Sequence, residues 1–240
     1  MTAMHTWPAS LPDLYPREPE PVLRVNFIAS ADGAVSVDGL SAGLQGPGDK
    51  EIFDALRTAC DALIVAAGTV RAENYDALRL TSEARAWRVA AGLPEHPLMV
   101  IVSGSLDLDP EQLIFSDAPR RPIVVTHAGA TPSTALAEVA EIVALGDDQV
   151  DLAAMVTLLH ERGATQLLCE GGPGLLGSLI AEDLVDELCL TVAPLLAGGQ
   201  AGRIAHGPSG PPRPMTLRHA LTRDDMLFLR YARSGRASIN

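Results

Sequence analysis

The hydrophobic positions of the chain form short apolar runs that alternate with amphipathic segments. Apolar runs bounded by turn residues occur at residues 22–30, 61–67, 98–102, 122–126, 141–145, 165–170 and 186–193. Runs of this length and character are typical of buried strands. Helical spacing of apolar residues follows at 49–59, from Thr131 onward, at 150–162 and at 175–181. This alternation predicts an α/β fold with a mixed, mostly parallel sheet flanked by helices.

The two ends of the chain differ from this pattern. Residues 215–221 and 226–232 are strand-like runs separated by residues 222–225, which predicts a carboxyl-terminal antiparallel hairpin at the sheet edge. Residues 1–21 are rich in proline and acidic residues and lack the basic start and apolar stretch of a signal peptide. We therefore expect an irregular arm over residues 1–21 and one domain over residues 22–240.

Composition narrows the class of protein. Hydrophobic residues make up 47% of the 240 residues and aromatic residues only 4%, which indicates an aliphatic core. A formal net charge of -12 disfavours nucleic acid and anionic membranes as partners. No apolar run approaches the ~18 residues of a membrane span. The odd number of cysteines argues against a disulfide framework, and we expect a cytoplasmic protein.

Histidine and cysteine spacing gives no sign of a metal site. The six histidines show no paired spacing, and the cysteines show no CxxC pair. The His-x-Glu and Pro-Cys-x-x-Cys pair of zinc deaminases is also missing from the sequence. No metal is predicted.

Candidate chemistry lies where predicted strands end. Ligands of open α/β sheets bind beyond the carboxyl ends of the strands, which here are residues 31–33, 68–71, 103–105 and 170–174. Glycines in the last segment would let a diphosphate approach the backbone, and the next helix would offer free N–H groups. Glycine spacing alone supports a ligand-free turn equally well. A second glycine before a helix, Gly68, and the adjacent Glu170 favour a ligand site.

Three motifs occur in an order and at separations that resemble the bacterial pyrimidine reductase family of riboflavin biosynthesis. They are ASADG (29–33), AAGTVRAEN (66–74) with ALR (77–79), and EGGPGLLGSL (170–179) with LVDELCLTVAPLLAGG (184–199). The resemblance covers residues 22–199. It implies a dihydrofolate-reductase-like fold, usually a homodimer, with NADPH lying across the strand ends. It also implies hydride transfer to an imine carbon of a phosphoribosylamino substrate.

The resemblance further implies which residues hold the cofactor. The matching positions are Gly68, Thr69 and Val70 in one turn, Gly171, Gly172, Gly174 and Leu175 in the diphosphate-binding turn, and Ser103 near the adenosine 2′-phosphate. Family members often carry an arginine directly after that serine. This chain has glycine and serine at positions 104 and 105, so NADH stays open beside NADPH.

Roles at the substrate are implied in the same way. Asp32 and Glu170 match the family's active-site carboxylates, which could orient substrate hydroxyls or assist proton transfer. Arg79 matches the arginine that holds the substrate phosphate, and Asn26 and Ser30 are expected to face the same cleft. Without the family, the three charged residues are explained as a turn-capping aspartate, a helix-start glutamate and a solvated surface arginine.

One departure from the family keeps several functions open. Ala34 follows the Asp-Gly pair, where riboflavin-pathway reductases commonly carry lysine or arginine. The first hypothesis is reduction of 5-amino-6-(5-phosphoribosylamino)uracil. The second is reduction of dihydrofolate or another pterin or imine, and the third is nucleotide binding without catalysis. In each case the expected partner is a small molecule, a phosphorylated pyrimidine or a pterin-like compound.

Overall fold

A single ten-stranded sheet organises the computed structural model, which describes residues 4–7, 11, 13–73, 75–208 and 210–234. The strands are β1 (Met4–Thr6), β2 (Val22–Ser30), β3 (Ala62–Ala66), β4 (Leu98–Val102), β5 (Ile123–Thr126), β6 (Glu141–Ala144), β7 (Gln166–Cys169), β8 (Glu187–Ala193), β9 (Met215–Arg223) and β10 (Met226–Arg233). The helices are α1 (Asp49–Ala59), α2 (Ala67–Ala72), α3 (Ser82–Ala90), α4 (Leu113–Ser116), α5 (Thr134–Val139), α6 (Leu152–Glu161) and α7 (Pro173–Ala181), with a 3-10 turn at Ser41–Leu44.

The strand order is β1-β9-β10-β8-β2-β7-β3-β4-β5-β6. Every pair from β8 to β6 is parallel, whereas β10 pairs antiparallel with both β8 and β9. The predicted mostly parallel sheet and antiparallel hairpin are therefore confirmed. The hairpin lies one strand in from the edge, because β1 pairs in parallel with β9. Part of the amino-terminal arm, expected to be irregular, is thus a strand.

Alternation along the strands sends side chains into two cores, one on each face of the sheet. On the first face, Leu63 and Val65 pack with Ile52 and Leu56 of α1. On the second face, Leu23 and Val25 pack with residues of α6 and α7. We refer to these as the α1 face and the α7 face. Helices therefore cover both faces, as the alternating pattern predicts.

Helix α1 has a glycine cap, and one further helix was not expected from the sequence. Gly48 caps α1 with a φ of 89°, which glycine adopts without strain. Helix α3 was not predicted from the sequence, because its buried residue is Arg88 whereas its large apolar residues, Trp87 and Val89, are exposed. Among the described residues, none of the helices is long and apolar enough to cross a membrane.

Candidate active site

Three of the four strand ends singled out in the sequence, those of β3, β4 and β7, lie together at one edge of the sheet. Strands β7, β3 and β4 are consecutive neighbours and run parallel, so their carboxyl ends adjoin. Strand β2 pairs with β7 only as far as Val25 and then continues beside β8 to Ser30, so residues 31–33 lie beyond this group. Cys169 pairs with Val25 on one side and Ile64 on the other. The segments that follow these strands therefore form the rim of a shared cleft, where ligands of open α/β sheets bind.

The two glycine turns expected to hold a cofactor are in contact. The amide of Ala66 donates a hydrogen bond of 2.7 Å to the carbonyl of Gly171, which joins the end of β3 to the turn after β7. The Gly171–Gly172 peptide is cis, and Gly171 has a φ of 108°. A Cβ on Gly172 would lie only 2.7 Å from Thr69 Oγ1. A side chain at position 172 would therefore force Thr69 to move.

The start of α7 presents free backbone donors to this edge of the cleft. Pro173 occupies the first turn, and the amides of Gly174 and Leu175 have no acceptor within the helix. The first turn contains no acidic residue, so the positive end of the helix dipole is not neutralised there. These groups suit a diphosphate.

His206 lies beside the same helix start and was not singled out by its sequence context. Its amide donates to the Pro173 carbonyl at 3.1 Å. Its imidazole Cε1 lies 3.3 Å from the point that a Cβ on Gly174 would occupy. An imidazole N–H at this position can add a side-chain donor to the backbone amides.

The other residues expected to bind the cofactor differ in which of their atoms a ligand can reach. Val70 is fully buried in the core of the α1 face, so it can offer a ligand only its backbone. A Cβ on Gly68 would have no neighbour within 4 Å, which leaves space above the start of α2. Ser103 is buried, and its hydroxyl accepts a 3.0 Å bond from the Leu106 amide. That bond leaves the hydroxyl hydrogen for a ligand.

Glu170 is held by a buried ion pair on the α1 face. Arg57 of α1 donates to both carboxylate oxygens, with Nε–Oε1 and Nη2–Oε2 distances of 2.9 and 2.7 Å. The Tyr75 hydroxyl bonds the same carboxylate and accepts from Arg57 Nη2 at 2.6 Å. The Glu170 side chain is only 3% exposed. Burial raises the pKa of the Glu170 carboxyl, and the facing Arg57 opposes this shift.

Asn26 lies next to this ion pair. It follows Val25, the partner of Cys169, by one residue, so it lies beside Glu170 on the adjoining strand. Alternation places Asn26, Ile28 and Ser30 on the α1 face. The predicted neighbourhood of Asn26 and Glu170 is therefore present.

Asp32 and Ser30 form a turn that holds a distant loop. The Asp32 carboxylate accepts hydrogen bonds from Ser30 Oγ at 2.5 Å and from the amides of Ala197 and Gly198 at 3.1 and 2.7 Å. The Ser30 hydroxyl bond, followed by the two amides, lowers the pKa of Asp32 to about 2. Asp32 is therefore ionised at neutral pH. Ser30 Oγ also accepts from the Ala34 amide, so its expected contact with substrate competes with this turn.

The surroundings of Arg79 and Ala34 differ from those that the resemblance implies. Arg79 pairs with Asp117 through two hydrogen bonds of 2.6 Å and is half exposed. A phosphate that binds Arg79 would therefore exchange with Asp117. Ala34 is buried, with 6% of its surface exposed, so the position of the family's usual cation faces inward in this chain.

Comparison with known proteins finds a matching family and similar reductases. Residues 21–228 match the family described as the RibD C-terminal domain. The 2,5-diamino-6-ribosylamino-4(3H)-pyrimidinone 5′-phosphate reductase of Archaeoglobus fulgidus is 31% identical over 182 residues, covering 75% of this chain and 83% of the relative. The enzyme of the same name from Methanothermobacter thermautotrophicus is 31% identical over 186 residues, covering 76% and 82%.

A solved structure extends the similarity over the whole fold. The pyrimidine reductase-like protein of Corynebacterium diphtheriae superposes with a TM-score of 0.82 at 25% sequence identity. The superposition covers 93% of this chain and 94% of that chain. The sheet and its flanking helices are therefore those of the pyrimidine reductases, which confirms the predicted fold.

The Asp32 contacts make a prediction about the loop at residues 197–198. In Asp32→Asn, both loop amides lose a charged acceptor, and we expect them to exchange with solvent deuterium roughly five-fold faster than in the wild type. Because the pKa of Asp32 is depressed, the wild-type protection is present above the ordinary carboxyl range and is lost as the pH falls toward about 2. Hydrogen exchange of the Asp32→Asn and wild-type proteins, measured near neutral pH, tests the expected, roughly five-fold difference.

Asp38→Asn is the matched control. Asp38 is an exposed turn aspartate without a side-chain hydrogen bond among the described residues, and this substitution should leave exchange at residues 197–198 unchanged. Equal exchange in the Asp32→Asn protein and the wild type would show that the carboxylate does not hold the loop.

Proposed function

Since the chain belongs to the RibD C-terminal domain family, we propose that it is a nicotinamide-dependent reductase of a phosphorylated pyrimidine in riboflavin biosynthesis. The observation that carries this proposal is the contact between the two glycine turns beside the buried Arg57–Glu170 pair. It puts a diphosphate-compatible cradle and a polar substrate wall on adjoining strand ends. Oxidoreductases that join a dinucleotide to a small substrate need both surfaces together.

The residues at the cradle fit a dinucleotide. A side chain at position 172 would meet Thr69, so a glycine there lets the turn after β7 pack directly against the start of α2, with the backbone amides of α7 beside it for a phosphate. The amides of Gly174 and Leu175 and the imidazole of His206 would hold the diphosphate. Ser103 would donate to the adenosine 2′-phosphate, which is the basis for proposing NADPH as the preferred cofactor.

The chemistry of the reaction constrains the roles of the carboxylates. When bound, the nicotinamide supplies a hydride. Opening of the ribosyl ring moves a proton from the amine nitrogen to the ring oxygen and leaves an imine, which then takes the hydride at its sugar carbon and one proton at nitrogen. The product carries a ribityl chain. Because the pKa of Asp32 is about 2, this residue can orient hydroxyls or accept a proton but is not the proton donor at neutral pH.

Glu170 is proposed as a positioning residue. Its carboxylate bonds both Arg57 and Tyr75, so it fixes the orientation of a cation and a phenol at the substrate side of the sheet. Asn26 offers an amide beside this wall. Arg79 is proposed to take the substrate phosphate in place of Asp117, because a guanidinium binds either group through the same paired geometry.

The substrate proposal follows the relatives. Two reductases with 31% identity are named for 2,5-diamino-6-ribosylamino-4(3H)-pyrimidinone 5′-phosphate, and the match covers more than four fifths of each. We therefore propose this diaminopyrimidinone as the preferred substrate, ahead of the corresponding aminouracil. The buried Ala34 provides no cation at this position and is consistent with a substrate preference different from that of the reductases that carry lysine or arginine there.

A direct assay tests the function. Purified protein with NADPH should consume the diaminopyrimidinone phosphate, followed as loss of reduced-nicotinamide absorbance, at least about ten-fold faster than the aminouracil, a difference of about 1.4 kcal/mol in the barrier. NADH in place of NADPH, and dihydrofolate in place of the pyrimidine, are the comparison reactions. Binding of NADPH without turnover of either pyrimidine would contradict the proposal and favour a non-catalytic nucleotide-binding protein.

A single substitution tests the cofactor cradle. Gly172→Ala should raise the Kd for NADPH by about ten-fold or more, because its Cβ collides with Thr69 Oγ1 and displaces the two turns. Thr69→Ala in the same chain removes the colliding atom and should restore part of the affinity. Gly202→Ala is the control, since a Cβ there would have no neighbour within 4 Å. Unchanged NADPH affinity in Gly172→Ala would contradict the assigned cradle.

The role of Glu170 is tested separately from binding. Glu170→Gln keeps the shape of the side chain but removes the charge that orients Arg57, and we expect kcat to fall by about ten-fold to a hundred-fold with the Kd for NADPH within two-fold. Glu161→Gln, at an exposed position on α6, should leave both values unchanged. A kcat equal to that of the wild type would remove Glu170 from the mechanism.

A further inference from the structure

A second cavity lies at the opposite end of the sheet from the candidate active site. It has a volume of ≈ 700 Å³ and is lined by residues at the amino ends of β4, β5 and β6 and at the carboxyl ends of α3 and α6. We refer to it as the amino-end cavity. Five arginines line it, at positions 17, 88, 120, 121 and 162. Such a cluster is unexpected in a chain whose formal net charge is -12.

The carboxylates in the cavity wall neutralise only part of this charge. Asp61 pairs with Arg17 at 2.7 Å. Glu141 pairs with Arg162 through bonds of 2.7 and 3.0 Å. These are the acidic residues of the lining, so Arg88, Arg120 and Arg121 leave an excess of three positive charges.

Arg88 is the clearest example of a cavity arginine that forms no ion pair among the described residues. It is completely buried, and it donates to the backbone carbonyls of Pro94, Thr58 and Cys60 at 2.7, 2.8 and 2.6 Å. Its Nη2 is buried without a hydrogen-bond partner among the described residues. A buried guanidinium remains charged and is costly without a compensating anion.

Capping of helix ends explains only part of the cluster. Arg88 binds carbonyls at the end of α1, and Arg121 binds the Ala137 and Ala140 carbonyls at the end of α5. Each helix end supplies about half a negative charge, so a full positive charge is not balanced by this contact. Within the part of the chain that the structure describes, Arg120 makes a single side-chain bond of 3.1 Å, to the His96 carbonyl, although a guanidinium has five donors. Donors and charge therefore remain for a ligand.

We propose that the amino-end cavity is a second ligand site, separate from the active site, that binds the phosphate or diphosphate group of a small molecule. The planar fork of arginine matches phosphate oxygens in paired hydrogen bonds. A phosphate monoester carries about 1.5 to 2 negative charges at neutral pH, which would offset most of the excess positive charge. The cavity volume is in the range of small-molecule sites, so the ligand can extend beyond its phosphate.

Calorimetric titration of the full chain with pyrophosphate tests the site. We expect saturable binding to the wild type, and a Kd raised by about ten-fold in Arg120→Gln and in Arg121→Gln, because each removes a charged donor. Arg85→Gln is the matched control. Arg85 lies on the same helix as Arg88 but outside the cavity, where it pairs with Glu95, and its loss should change the Kd by less than two-fold.

Two further measurements separate this site from the active site. Arg79→Gln and Gly172→Ala alter the contacts proposed for the substrate phosphate and the cofactor diphosphate, and they should leave pyrophosphate binding to the amino-end cavity intact. Crystals soaked in tungstate should show an anomalous peak in contact with Arg120 or Arg121. Melting curves of each variant exclude loss of fold as the cause.

The proposal is overturned if wild-type protein shows no saturable pyrophosphate binding. It is equally overturned if Arg120→Gln and Arg121→Gln bind as tightly as wild type, or if tungstate occupies only the start of α7. These outcomes do not depend on turnover, so failure of the reductase assay and failure of this site are distinguishable.

Discussion

The ion pair between Arg57 and Glu170 is the interaction on which the candidate active site depends. It connects α1 to the end of β7 across 113 residues of sequence, with both side chains at least nine-tenths buried. Removing either partner would leave a buried charge without compensation, which is far more costly than losing a surface pair. The Phe53 ring lies 3.9 Å from the Arg57 guanidinium carbon and covers it. The proposed substrate wall is therefore built from contacts within the protein itself, as efficient positioning requires.

The two carboxylates recognised in the sequence have opposite environments. Asp32 is exposed and surrounded by donors, and its pKa falls to about 2. Glu170 is buried, which raises its pKa, while Arg57 and Tyr75 engage both of its oxygens. The sequence predicts both as site residues, but the structure places Glu170 beside Asn26 and Asp32 beyond the end of β2, next to Ala197 and Gly198. Sequence motifs could not indicate the state of either group, because the donors at Ala197, Gly198 and Arg57 come from distant parts of the chain.

In the fold, too, the features marked by a local pattern were predictable, and the features that depend on distant residues were not. Strands such as Leu98–Val102 were predicted to the residue, because a buried parallel strand is marked by its own apolar run. The contact between Thr69 and Gly172 follows from the pairing of β3 with β7, which no local pattern in the sequence predicts. Helix α3, the strand at Met4–Thr6 and His206 were missed. Each is stabilised by long-range polar or backbone contacts, which leave no periodic signal in the sequence.

Parallel strands joined by helices also make the two ends of this sheet electrostatically different. At the carboxyl end, an anion would meet neutral amides at the start of α7, whose attraction comes from oriented dipoles. At the amino end, carbonyls at the ends of α1 and α5 attract arginines, and these bring full charges to the amino-end cavity. Surface-accessible charges are screened by salt, whereas hydrogen bonds from buried amides depend on it less. Ligands at the two ends should therefore respond differently to ionic strength, although both carry phosphate.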